Sequence, residues 1–148
     1  MSMYDQFQTD SSLEKTGIEL DYGEFIVTIA RAGGANGKFN KVLEHKTKPY
    51  RRAIQSDSMD RKRGEKVLKE VYAEAVVLGW QVRVGDDLGD KTKYKDGIEA
   101  PDGSILPYNT ENVLKTLMAL PELFLDIQEQ AGKIALFRAT LQEDDAKN

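Results

Sequence analysis

Residues 106–141 carry the firmest helix punctuation in the chain, and they commit it to packed helices. Asn109 or Thr110 can cap an incoming helix, because a side-chain oxygen there accepts one of the unpaired backbone N–H groups of the first turn. The helix that follows, Thr110 to Ala119, is expected to bury Val113, Leu114, Leu117 and Met118 on one face. Pro121 then breaks the pattern and can open a second helix, since the first helical position has no intrahelical N–H partner to lose. Leu123, Phe124, Ile127, Ala131, Ile134, Phe137 and Leu141 recur at steps of three and four and predict one long helix with a wide apolar stripe.

Upstream the period changes. Ile18, Leu20 and Tyr22 alternate with polar residues, Gly23 permits a turn, and Phe25, Val27 and Ile29 alternate again. This predicts a two-stranded ribbon about Asp21–Glu24. A lone ribbon is marginal, so its apolar face must lie on helices. A helix from Lys38 to Thr47 turns Phe39, Val42 and Leu43 inward, and Pro49 ends it and opens a short helix through Arg51, Arg52 and Ile54. A third helix, capped near Ser56 to Ser58, is expected to run to Leu78 with Val67, Leu68, Val71, Tyr72, Ala75 and Leu78 on one face. Gly79 and Trp80 then close it. From Gln81 to Ser104 comes a polar insert with Asp-Gly turn signals at Asp96 and Asp102, around which Val82, Val84, Ile98, Ile105 and Leu106 could form short strands. The expected fold is α+β and mainly α, an N-terminal β-hairpin packed on a helical module with a short β/turn insert. Residues 1–12 are read as a flexible tail, 13–141 as a single mainly helical domain and 142–148 as a polar tail.

At 148 residues the chain can bury one sizeable core. It has no cysteine, so disulfides and thiolate metal sites are excluded. The first residues carry no basic region followed by an apolar run, which argues against a secretory signal. No apolar run nears the roughly 20 residues of a membrane span, so no membrane partner is expected. Charge is segregated along the chain. Residues 1–30 hold six acids and one base, residues 31–69 four acids and twelve bases, and residues 70–148 fifteen acids and eight bases. Such asymmetry marks a nucleic-acid face, an acidic partner, or self-complementarity within a fold or oligomer.

The chemical motifs are missing. Gly33-Gly34-Ala35-Asn36-Gly37-Lys38 sits where a phosphate loop would, but Ala32 and Phe39 stand where glycine and a hydroxyl residue are needed. The stretch reads as a turn, with Asn36 as a cap for the next helix. A calcium loop begun at Asp86 would put Leu88 and Lys91 at positions that need an oxygen ligand and glycine. The one histidine, His45, lies between Glu44 and Lys46 with no orienting partner in the pattern. No nucleophile elbow, paired-histidine zinc motif or dinucleotide fingerprint occurs. The chain is therefore read as non-enzymatic, with no cofactor and no metal. Arg61, Lys62, Arg63, Lys66 and Lys69 face outward from the third helix. They form either a solvated basic face or, in an alternative reading, a nucleic-acid surface, although no interleaved rings or base-reading motif accompany them.

Tyr72-Ala-Glu-Ala-Val-Val-Leu-Gly-Trp80, the glycine-turned insert, Leu106-Pro-Tyr-Asn-Thr-Glu-Asn-Val113 and Leu120-Pro-Glu-Leu-Phe124 come in an order that resembles the tail assembly chaperones of long-tailed bacteriophages. Ala30-Arg-Ala-Gly-Gly-Ala-Asn and Thr47-Lys-Pro-Tyr-Arg-Arg52 are similar to stretches of phage and prophage proteins of this type. The resemblance covers roughly residues 17–140; the insert between Trp80 and Ile105 is longer and more charged than in shorter relatives.

The resemblance implies a protein of the bacterial cytoplasm, absent from the mature virion, that coats the helical tape-measure protein and helps recruit tail-tube subunits. Self-association would let many copies bind in array. Trp80, Pro107, Tyr108, Leu120 and Phe124 are the expected groove anchors, or else they pack the core. Two other readings stay open: a structural virion component such as a head–tail connector or tail protein, and a small nucleic-acid-binding regulator. Proteins of this family are often made in two forms by ribosomal frameshifting. Ala146-Lys147-Asn148 can be encoded as GCA AAA AAC, which holds a slippery run in phase. The expectation is that this chain is the short form; an AAG codon at Lys147 in the coding DNA would rule out slippage there.

Overall fold

The computed structural model describes residues 2–84 and 93–138. No element was expected before Ile18, yet two short helices stand there, α1 (Met3–Phe7) and α2 (Ser11–Thr16). Each has a side-chain cap. Ser2 and Asp5 cap α1 reciprocally, and the Asp10 carboxylate accepts from the backbone N–H groups of Ser12 and Leu13 at α2.

The expected hairpin follows as β1 (Ile18–Asp21) and β2 (Phe25–Ile29), antiparallel with Leu20 opposite Val27. Gly23 turns it at φ +92°, a conformation glycine adopts without a Cβ penalty. Next come α3 (Gly37–Thr47), a 3-10 turn over Lys48–Tyr50 that accommodates Pro49, and α4 (Arg51–Gln55). The Ser56 hydroxyl donates to Arg52 O at 2.8 Å, so Ser56 closes α4 and does not cap the next helix. That helix, α5, spans Arg61–Ala75 and begins after Asp60.

The largest departure from the sequence reading lies just beyond it. Val76 ends the helical turn and Val77–Arg83 forms a strand, β3, at the centre of the sheet. The run Val76-Val77-Leu78 is apolar at helical and strand spacing alike, and its β-branched pair favours the pleated state once a partner edge is available. That edge is β2, which places Val27 opposite Trp80 and Ile29 opposite Val77, with a register shift between Thr28 and Ile29. Gly79 and Trp80 thus sit inside a strand and do not close a helix. Strands β4 (Tyr94–Asp96), β5 (Ile98–Glu99) and β6 (Ile105–Leu106) then follow. The sheet runs β1-β2-β3-β4, and β5 with β6 makes a separate hairpin.

Asn109 caps α6 (Thr110–Ala119) as expected, accepting from the Asn112 N–H at 2.7 Å, and Pro121 opens α7 (Pro121–Ala131). Val113 and Leu117 are buried, but Met118 is 48 % exposed. The buried side of α6 runs through Thr116 instead, whose hydroxyl donates back to Asn112 O. The long amphipathic stripe is also divided. Helix α7 stops at Ala131, and Ile134–Phe137 is a 3-10 turn that still buries Phe137 completely. Gly132 and Lys133 intervene between the two, and glycine is a common helix stop. Leu141, the 142–148 tail and the Asp86–Lys91 stretch lie outside the described residues.

The core joins the sheet to the helices. Val27, Ile29, Val77 and Trp80 from the sheet meet Tyr72 and Ala73 of α5, Val113 and Leu117 of α6, and Phe124 and Ile127 of α7. The fold is α+β and mainly α. No helix among the described residues is long and apolar enough to cross a membrane.

Candidate functional site

Strand β3 positions the chain that leads into α6. Trp80 is 4 % exposed, and its Nε1–H donates to Leu106 O at 3.2 Å. The Tyr108 hydroxyl donates to Val77 O at 2.7 Å, and the two rings meet edge to face with centroids 6.2 Å apart. Both aromatic side chains therefore clamp residues 106–108 to the sheet, buried Trp80 and surface Tyr108 each satisfying its polar end on a backbone carbonyl. Burial raises the Tyr108 phenol above its ordinary pKa, so it stays a donor. Gly97 completes the clamp. Its N–H donates to Trp80 O at 3.2 Å, and a Cβ there would lie 2.5 Å from Ile105 Cγ2 and 2.8 Å from Leu106 O.

The clamped β5–β6 hairpin leaves an apolar cleft of about 580 Å³ against the end of α6. Ile98, Ala100, Pro101 and Leu106 form one wall, and Thr116, Ala119 and Leu120 the other; Glu99 and Lys115 also line it. Leu120 is 51 % exposed, and Met118, Leu125 and Ile105 also show apolar surface to solvent. A smaller cleft is lined by Thr28, Leu78, Trp80, Asp96, Pro107 and Tyr108.

The five expected anchors divide. Pro107, Tyr108 and Leu120 are exposed and line the two clefts. Trp80 is core, though its edge reaches the smaller cleft, and Phe124 is buried under Tyr72, ring centroids 5.3 Å apart, with Lys69 Nζ 5.6 Å from its own. Sequence reasoning missed Ile105, Met118 and Leu125. Leu125 falls off the apolar stripe of its helix, the one signal that could have shown it; α1 likewise exposes Met3, Tyr4 and Phe7.

The basic residues also divide. Lys62, Arg63 and Lys66 line a cleft of about 520 Å³ between α5 and the stretch from His45 to Tyr50. Arg63 stands 5.5 Å from the Tyr50 ring centroid, its Nη1–H donating to the phenol oxygen at 3.3 Å. Asp60 and Glu70 line this cleft as well, and Lys46 pairs with Glu74 at 3.0 Å and Glu70 at 3.5 Å. Those carboxylates, Glu74 first, raise the Lys46 ammonium pKa. Arg61 pairs with Glu65 in solvent, and Lys69 belongs to the Phe124 contact.

The glycine-rich stretch is a tie between elements. Asn36 precedes α3 without a side-chain cap bond, and its Nδ2 donates instead to Arg31 O at 2.8 Å and Ala75 O at 2.9 Å. Glu14, 2 % exposed, accepts from the Thr9 hydroxyl at 3.0 Å, the Ala35 N–H at 3.3 Å and the Arg31 guanidinium. Burial pushes its carboxyl pKa up, and these donors together outweigh burial and hold it below the ordinary value. Among the described residues no group of three His, Asp or Glu side chains could hold a metal ion.

A family model described as YdaY prophage protein matches residues 34–148. No curated protein matches the chain, and no solved structure does.

Proposed function

The chain belongs to the YdaY prophage protein family, and on that premise we propose that it is a phage tail assembly chaperone, acting without catalysis in the cytoplasm of the bacterial host. Its partner is the tape-measure protein, whose long apolar helical seams need cover until the tail tube closes over them, and it helps recruit the tube subunits. The observation that carries this reading is the apolar cleft between the β5–β6 hairpin and the end of α6, with Leu120 half-exposed at its rim. Exposed apolar surface around a groove is how a protein receives an amphipathic helix. The clamp by Trp80, Tyr108 and Gly97 holds the groove ready, so little ordering is needed on binding.

Co-expression with the tape-measure protein of the same prophage tests the proposal. The two should copurify, and Leu120→Glu should abolish copurification while the variant keeps its melting temperature. Retention of the partner by Leu120→Glu would place the contact elsewhere, and no copurification of the unaltered chain would remove the tape measure as partner.

A further inference from the structure

The charge segregation of the sequence becomes two separate surfaces. One is the basic cleft, where Lys62, Arg63 and Lys66 converge and the Tyr50 ring holds the Arg63 guanidinium in place. The other is the β1–β2 hairpin end, where Glu19 and Asp21 of the edge strand β1 and Glu24 of the turn are exposed. Tyr22 joins that turn to α7 through a 2.6 Å hydrogen bond to Asp126, adding a further carboxylate beside it. Among the described residues Lys62, Lys66, Glu19, Asp21 and Glu24 have no ion-pair partner, and the ion pair joining residues 1–30 to 31–69 is the separate Glu14–Arg31 contact. Among the described residues no ion pair joins the two surfaces within one molecule.

We infer that copies of this chain associate head to tail, the basic cleft between α5 and residues 45–50 of one copy receiving the acidic β1–β2 turn of the next. A second copy fits better than a nucleic acid. Asp60 and Glu70 interrupt the positive lining of the cleft, which suits a few separately placed carboxylates and not the continuous row of charges of a phosphate backbone. A neighbouring copy brings a few carboxylates at defined positions. The acids on the β1 edge also keep two β1 strands from pairing with each other, leaving that edge to a basic partner. A head-to-tail contact is heterologous, so it repeats, and gives rings or open arrays. The inference rests on the charges alone and holds whatever occupies the apolar cleft.

Sedimentation velocity over a range of concentrations tests it, at about 0.01 M salt, where the screening length is roughly 30 Å, and at about 1 M, where it is roughly 3 Å. The expected result is a sedimentation coefficient that rises with concentration at low salt and stays monomeric at high salt. A cleft variant (Lys62→Gln, Arg63→Gln, Lys66→Gln) and a turn variant (Glu19→Gln, Asp21→Asn, Glu24→Gln) should each remain monomeric alone. Mixed at low salt, they should form one-to-one dimers and nothing larger, since one intact cleft and one intact turn remain. If either variant fails to fold, the salt dependence of the parent chain and the behaviour of the other variant decide. A monomer under all conditions, association unchanged by either variant, or binding of a short DNA duplex through the cleft without self-association would overturn it.

Discussion

Glu14 holds more of the amino-terminal third together than its place on a six-residue helix suggests. Its carboxylate reaches Thr9, Arg31 and the Ala35 N–H, tying α2 to the strand exit and to the glycine-rich loop. Glu14→Ala leaves Arg31 without its partner and should cost about 3 kcal/mol, the scale for breaking a largely buried pair. Because the folded-state pKa is depressed, this stability is complete above the ordinary carboxylate range and is lost as pH falls through the folded value. Urea unfolding from neutral to acid pH should therefore show a slope in the parent chain that Glu14→Gln flattens. Asn36 makes a similar tie with two backbone carbonyls, and Asn36→Ala should cost about 1–3 kcal/mol by leaving them unpaired. Neither role was legible in the sequence. Asn36 reads as a cap from its local context, whereas the Ala75 carbonyl that captures it is 39 residues away. The expected anchors divide for the same reason: spacing shows that Trp80 and Phe124 are large and apolar at junctions, and only the packed neighbours decide that both are covered. Trp80→Ala and Phe124→Ala should each cost about 3–5 kcal/mol in unfolding. Leu120→Ser, on the surface, should stay within about 0.5 kcal/mol.

Among the elements, those with unambiguous periodicity were readable. The β1–β2 hairpin declares itself by strict alternation, and the starts of α6 and α7 by Asn109 and Pro121. Strand β3 did not, because Val76–Leu78 continues the apolar face of α5 and the chain changes period without a polar break. Its partners on both sides, β2 and β4, are what make it a strand. The Asp-Gly signals fell at the β4–β5 junction and in the β5–β6 turn, and their two glycines separate two effects. Gly97 has φ +112° with Ile105 and Leu106 against its missing Cβ, whereas Gly103 has φ +88° with open space. Gly103→Ala should cost about 1–2 kcal/mol, the strain of a positive φ. Gly97→Ala should cost more, since the hairpin must also move off Trp80, and thermal melts of the pair measure the difference. The same displacement should open the apolar cleft and weaken partner capture in Gly97→Ala alone.

At the scale of the whole molecule, one α+β body carries an apolar cleft, a basic cleft and an acidic edge. The apolar cleft was legible only at Leu120; Pro107 and Tyr108, expected with it, line the smaller cleft, and the exposure of Met118 and Leu125 emerges only once the core has chosen its side of each helix. Segregated charge was visible in the sequence, but not that Lys69 leaves the basic face to cover Phe124. The proposed function turns on the apolar cleft being the surface that meets the tape measure. Hydrogen exchange on the copurified complex, compared with the free chain, should show added protection over Ile98–Tyr108 and Thr116–Leu125, with the α3–α5 surface unchanged at high salt. Protection confined to other segments, with these two exchanging as in the free chain, would contradict it.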